Sequence, residues 1–246
     1  AFATIVSQIL SAVLCIRKLR REPEAFRLSF RELRMNGNML RLIVVNGIPA
    51  GIQNSIIAVA NVFVQSNINQ FGALAMAGCG SYSKIEGFGF IPVTCFSQAL
   101  TTFIGQNLGA KEYDRAKKGA LFGTICGIGI AVFFFSPYLI AAFGGDQRAI
   151  EYGIAEAHTI ALFYCLLAFS HCMAAIQRGA GRSIVPMFVM MIVWCGVRVT
   201  YISIVIRIIP VINVIYWAYP LTWFISSVIF LILFLKTDWI HGLEKQ

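Results

Sequence analysis

The chain has 246 residues, of which 58% are hydrophobic and only 13% charged, and a formal net charge of +9. A soluble domain carries about 25% charged residues, so this composition excludes an ordinary soluble enzyme or binding module. The positive balance does not call for a nucleic acid: no RNA- or DNA-binding motif accompanies it, and the cations flank apolar runs, where anionic membrane lipid attracts them.

Seven apolar runs follow one another, at 1–16, 42–70, 77–108, 118–142, 150–177, 185–208 and 216–235. A helix needs about 20 mostly apolar residues to cross a bilayer, and each of the six complete runs has 20 to 32. A β-barrel would show alternating segments of about ten residues, and none occur. Sixteen of the 20 Lys and Arg residues lie in every other gap (17–41, 109–117 with Lys118, 178–184 and 236–246). Short loops rich in Lys and Arg stay in the cytoplasm, which predicts an all-α, multi-pass protein with its C-terminus cytoplasmic. The first run precedes its basic cluster, the reverse of a secretory signal. It is expected to be the end of a preceding span.

Residues 17–41 are expected to form a cytoplasmic connector. Pro23 suits a first helical turn, and Phe26, Phe30 and Leu33 oppose a stripe of Arg27, Arg31 and Arg34, the pattern of an amphipathic helix in the interface. In the run 42–70, Asn54, Asn61 and Gln65 share one helical face, with Asn69 near its edge. Carboxamides need hydrogen-bond partners in lipid, so this stripe is expected to face other helices or a wet cavity. The run 77–108 exceeds a straight crossing; Gly87, Gly89 and Pro92 predict a kink, beyond which Thr94, Gln98 and Thr101 continue a polar face. Gly119, Gly123 and Gly127 in the next run have the four-residue spacing of close helix contact.

Ionisable residues inside spans are rare and usually functional. At about 1.5 Å per residue, Lys84, Glu86, Glu156, His158 and Arg198 all lie roughly 9–15 Å below one edge of their spans, which suggests a shared polar region. This region is either a set of structural ion pairs or a cation or proton site. The seven cysteines all fall in apolar runs and lack metal-ligand spacing, so they read as buried hydrophobes. No nucleophile elbow, zinc helix, phosphate loop or dinucleotide fingerprint occurs; neither an enzyme nor a cofactor is expected.

Two segments at cytoplasmic ends carry a resemblance. Residues 97–110 read SQALTTFIGQNLGA, followed by KEYDRAKKG, and residues 177–183 read QRGAGRS. With NGIP at 46–49, they resemble the C-terminal half of the multidrug and toxic compound extrusion (MATE) transporters. The resemblance implies that 1–16 ends a sixth span, that 17–41 connects two bundles, and that 42–246 forms a six-helix lobe of a two-lobed, twelve-helix transporter. It further implies a secondary active antiporter of the bacterial inner membrane, which exports cationic or amphipathic drugs or metabolites in exchange for Na+ or H+ by alternating access. Its partners would be the small-molecule substrate, membrane lipid and an N-terminal lobe.

In such a transporter Asn54, Asn61, Gln65, Thr94 and Gln98 would line the cleft between lobes. Glu86 and, secondarily, His171 would respond to the coupling ion. The sequence departs from some family members, which carry a carboxylate in the seventh span; residues 41–70 contain no Asp or Glu. The alternatives are a lipid-linked oligosaccharide flippase of the same superfamily, which would need more cations in its cleft, and a stand-alone six-helix membrane protein.

Overall fold

The computed structural model describes residues 2–21, 36–134 and 147–240. The amphipathic helix expected around residues 23–34 lies outside them. Contacts divide the chain into two units, 1–44 and 45–246. In the first, helix α1 (Phe2–Leu19) ends on Arg17 and Lys18, and none of its residues is buried. Helix α2 (Gly37–Asn69) starts in this unit. The Asn36 side chain caps it, accepting from the backbone amides of Asn38 at 3.0 Å and Met39 at 3.4 Å, which satisfies donors that a helix start leaves open.

The second unit comprises the rest of α2, then α3 (Ala73–Gly109), α4 (Tyr113–Phe134), α5 (Gln147–Ala161), α6 (Tyr164–Gly179), α7 (Ile184–Met190), a π-helical segment (Met191–Val197), α8 (Arg198–Ile208) and α9 (Asn213–Lys236). Among the described residues, four helical stretches are long and apolar enough to cross a membrane singly: 2–19, 37–69, 184–208 and 213–236. Two more crossings are bent pairs, 73–84 with 89–109 at 41° and 151–161 with 164–179 at 58°. The bend in α3 falls where Gly87, Gly89 and Pro92 predict it. The break at 162–163 has no Pro or Gly to announce it; there the Phe163 amide bonds to Ile160 O at 2.9 Å, which tightens the last turn of α5. Helix α4 covers 118–134 of the predicted span 118–142, and the rest of that span lies outside the described residues.

Helix α3 packs against α4, α5 and α6, and α9 packs against α5, α6, α8 and the π segment. Glycines set the closeness of the first set. A Cβ on Gly123 would meet Leu100, and one on Gly179 would stand 2.7 Å from the Thr101 carbonyl. In the glycine row of α4, Gly119 and Gly123 pack onto Phe103 and Leu100 of α3, and Gly127 packs onto Cys172 of α6, the close contact its spacing predicts. At the ends of α3 and α6 the chain reverses in the same way. The Glu112 amide reaches back to Asn107 O and that of Arg182 to Gln177 O, both at 2.9 Å, closing carbonyls that a helix end leaves open. The left-handed residue is Gly181 in one turn (φ 78°) and Lys111 in the other (φ 59°).

The π segment has a structural consequence. Met190, Trp194, Arg198 and Ile202 are all buried at four-residue intervals. In a regular α-helix such a row would drift by about 120° around the axis; the wider π turns keep it on one face. Large apolar side chains such as Val59, Phe122, Ile125 and Leu235 are exposed, as lipid-facing positions require.

Candidate functional site

A cavity of about 330 Å³ lies within the second unit, between α2, α3, α5, α6, the π segment, α8 and α9. Its polar lining includes Asn61, Gln65, Glu86, Glu156 and Arg198, and its aromatic walls are Phe90, Trp194, Tyr219 and Trp223. The bend in α3 brings Glu86 and Gly87 to it, and the π segment brings Trp194 and Arg198. Three of the five charges placed at one depth by the sequence therefore share one space.

Arg198 is only 2% exposed. Its guanidinium lies 4.4 Å from the centre of the Tyr219 ring and 5.4 Å from that of Trp194, and a terminal nitrogen donates to Thr222 Oγ1 at 3.0 Å. Its Nε has no hydrogen-bond partner. Withdrawing a charge from water costs several kcal/mol even after relaxation. Each cation–π face returns about 0.5–2 kcal/mol, and a charged hydrogen bond about 1.5–3 kcal/mol. Together these contacts are of the same order as that cost.

The carboxylates are held differently. Tyr164 donates to Glu86 Oε1 at 2.7 Å, and the Tyr82 and Tyr164 hydroxyls are 2.7 Å apart. With one proton on each phenol, the order runs Tyr82 to Tyr164 to Glu86. Glu156, 4% exposed, stands beside Cys79, and its Oε2 has no hydrogen-bond partner. Among the described residues, neither carboxylate forms an ion pair with Arg198. The cavity thus holds two acids and one base that are close but not neutralised by contact.

Of the other residues singled out in the sequence, Lys84 and His158 are exposed and do not line the cavity. Asn54 and Gln98 are exposed too, and Thr94 donates to the Ile91 carbonyl at 2.9 Å. Gln65 donates to Asn69 at 3.0 Å, within the predicted stripe. His171 stands behind the wall, with Phe90 at 5.1 Å and Trp194 at 5.7 Å between ring centres; its Nε2 is buried without a partner. Sequence reasoning passed over Tyr164 and the aromatic wall of α9. The signal was partial: Tyr216, Tyr219 and Trp223 recur at three- and four-residue intervals on one face of a span that also carries Trp217, Phe224, Phe230 and Phe234.

Crossings of this length, with charged side chains enclosed between them, define a multi-pass α-helical membrane protein. Residues 49–204 match the model of the MatE family, and the chain belongs to that family. It is 26% identical over 213 residues to the probable multidrug resistance protein YoeA of Bacillus subtilis, a match covering 81% of this chain and 45% of the relative. It is 31% identical over 159 residues to an FAD transporter of Shewanella oneidensis, covering 61% of this chain and 34% of that protein. The chain thus spans less than half the length of these relatives. Its fold matches the crystal structure of MATE in complex with MaL6, with a TM-score of 0.84 at 18% identity over 100% of this chain and 57% of the other. It also matches a MOP superfamily transporter from Pyrococcus furiosus, with a TM-score of 0.83 at 17% identity over 100% and 56% of the two chains.

Proposed function

We propose that this chain forms one lobe of a secondary active antiporter of the bacterial inner membrane, which exports cationic or amphipathic compounds in exchange for Na+ or H+ by alternating access. The observation that carries this reading is the cavity in a MatE-family chain, where Glu86 and Glu156 form no ion pair among the described residues and lie among aromatic rings. An antiporter needs one site that the coupling ion and the substrate occupy in turn. A carboxylate can hold a proton, Na+ or an organic cation, and Trp and Tyr faces favour the last of these. Secondary transporters place such sites near the midplane between their repeats.

In this reading a second lobe supplies the opposite wall of the pathway, residues 42–246 form this lobe, and the C-terminus lies in the cytoplasm. Asn54, Thr94 and Gln98 then face the cleft between lobes, and His171 backs the ion site from behind Phe90. A flippase for lipid-linked oligosaccharides would need several cations to hold pyrophosphate. Among the described residues, Arg198 is the one Lys or Arg that lines the cavity, which favours the antiporter. The test is efflux of a cationic dye from cells expressing the complete gene product, with and without imposed Na+ and proton gradients. Loss of gradient-driven efflux in Glu86→Gln and Glu156→Gln, with normal protein levels, supports the reading. Unchanged efflux in the double variant removes both acids from the mechanism.

A further inference from the structure

We propose that Arg198 is an anion-recognition residue, and that the cavity takes an aromatic solute bearing an oxyanion, a carboxylate or a phosphate. Arg198 seats the oxyanion while Phe90, Trp194, Tyr219 and Trp223 hold the rings. The proposal rests on the transport reading above and, among its amphipathic substrates, singles out those whose aromatic body carries an oxyanion.

An arginine placed to neutralise Glu86 or Glu156 would pair with one of them. Neither is paired with it among the described residues, and Glu86 Oε1 accepts from Tyr164 instead. The guanidinium is nonetheless fixed, between the rings of Tyr219 and Trp194 and on the hydroxyl of Thr222. Thr222 is itself fully buried and donates to the carbonyls of α9, 2.9 Å from Ala218 O and 3.0 Å from Tyr219 O. Its lone pairs are therefore left for Arg198. A clamped guanidinium presents its remaining N–H groups in a fixed plane, which suits an oxyanion better than a mobile ammonium does.

The partnerless Nε completes the argument, because a buried charged donor without a partner is rare, and an intramembrane charge that forms no ion pair among the described residues is rarer still. The two carboxylates set orientation. They repel an oxyanion from their own walls and leave Arg198 as its seat. At about 330 Å³, the cavity is within the range of small-molecule sites.

The test uses the complete gene product, purified in nanodiscs of zwitterionic lipid, and a matched pair of probes: the free acid of a rhodamine dye and its ethyl ester. Binding is read by fluorescence anisotropy, and export of each dye is followed separately in cells. The wild type is expected to bind the acid about tenfold more tightly than the ester. Arg198→Gln brings that ratio to about one, and Arg198→Lys keeps part of the preference. Monodisperse elution checks that each variant folds, and Arg198→Lys alone decides if Arg198→Gln does not. Equal affinity for the two dyes in the wild type overturns the proposal, as does a preference that survives Arg198→Gln. Loss of the preference on adding phosphatidylglycerol to the nanodiscs would give Arg198 to a lipid headgroup and overturn it too. Failure of the transport reading looks different: the acid is preferred in binding, yet cells export neither dye.

Discussion

Two regions of one bundle use the same helices in opposite ways. Toward the turns at 110–112 and 180–183, α3, α4 and α6 close on each other through glycines, with Gly123 against Leu100 and Gly179 against the Thr101 carbonyl. Toward the other end, α3 bends, the π segment widens its helix, and the space that opens holds Glu86, Glu156 and Arg198. The first region is held by the closeness of its backbones, and the second tolerates buried charge for the sake of a cavity. Substitutions in the first should therefore cost stability, and those in the second, function.

The largest effect is expected from Gly179→Val. Its Cβ alone would stand 2.7 Å from the Thr101 carbonyl and 2.8 Å from Ile104 Cβ, and a backbone atom cannot swing aside as a side-chain tip can. Overpacking of this kind costs about 3 kcal/mol, which lowers the melting temperature by about 10 °C in a chain of this size. Thermal denaturation of the purified protein checks it. Gly129→Val, where nothing lies within 4 Å of the added Cβ, is the control and should move the melting temperature by no more than a degree or two. Equal losses at the two positions would dissolve the contrast.

Gly87→Leu sharpens the contrast from the other side. Gly87 lines the cavity and has nothing within 4 Å of an added Cβ, so a leucine there fills space rather than colliding. Melting should stay near that of the wild type, while substrate affinity falls about tenfold, or about 1.4 kcal/mol. Dye binding and thermal denaturation on one preparation separate the two readouts. A destabilised variant would mean that the cavity end is packed as tightly as the glycine end.

A smaller effect is expected where the regions meet. Ser170 on α6 shares hydrogen bonds with Ser226 at 3.0 Å and Ser227 at 2.9 Å on α9. Ser170→Ala removes both, but Ser226 keeps the Trp223 carbonyl and Ser227 that of Leu166. The loss should be about 1 kcal/mol, read as a drop of about 2–4 °C in melting temperature, with efflux intact.

The sequence made the spans legible because lipid imposes a length and a composition on each. The bend of α3 and the glycine seam were legible for the same kind of reason, since Gly and Pro act locally. The charged cavity was only half legible. Depth along a helix follows from counting residues, but the direction a side chain faces depends on rotation about the axis. Lys84 and Glu86 are two residues apart, as are Glu156 and His158, so the members of each pair point about 200° apart. One of each pair can enter a shared space; here the acids do, and Lys84 and His158 are exposed. The break at 162–163 carries no Gly or Pro, and the lone Gly196 does not announce the π segment.

The smallest effect concerns the carboxamide stripe of α2. Asn61 and Gln65 line the cavity, whereas Asn54 is exposed and makes no hydrogen bond among the described residues. Asn54→Leu therefore asks what that exposed face meets. Against lipid, an unpartnered carboxamide is unfavourable, so leucine would raise the melting temperature by several degrees. Against a wet cleft, as proposed, stability should stay within about 0.5 kcal/mol of the wild type, and dye affinity should fall by no more than about twofold. The melting temperature decides between the two: a clear rise would place Asn54 against lipid and remove it from the pathway.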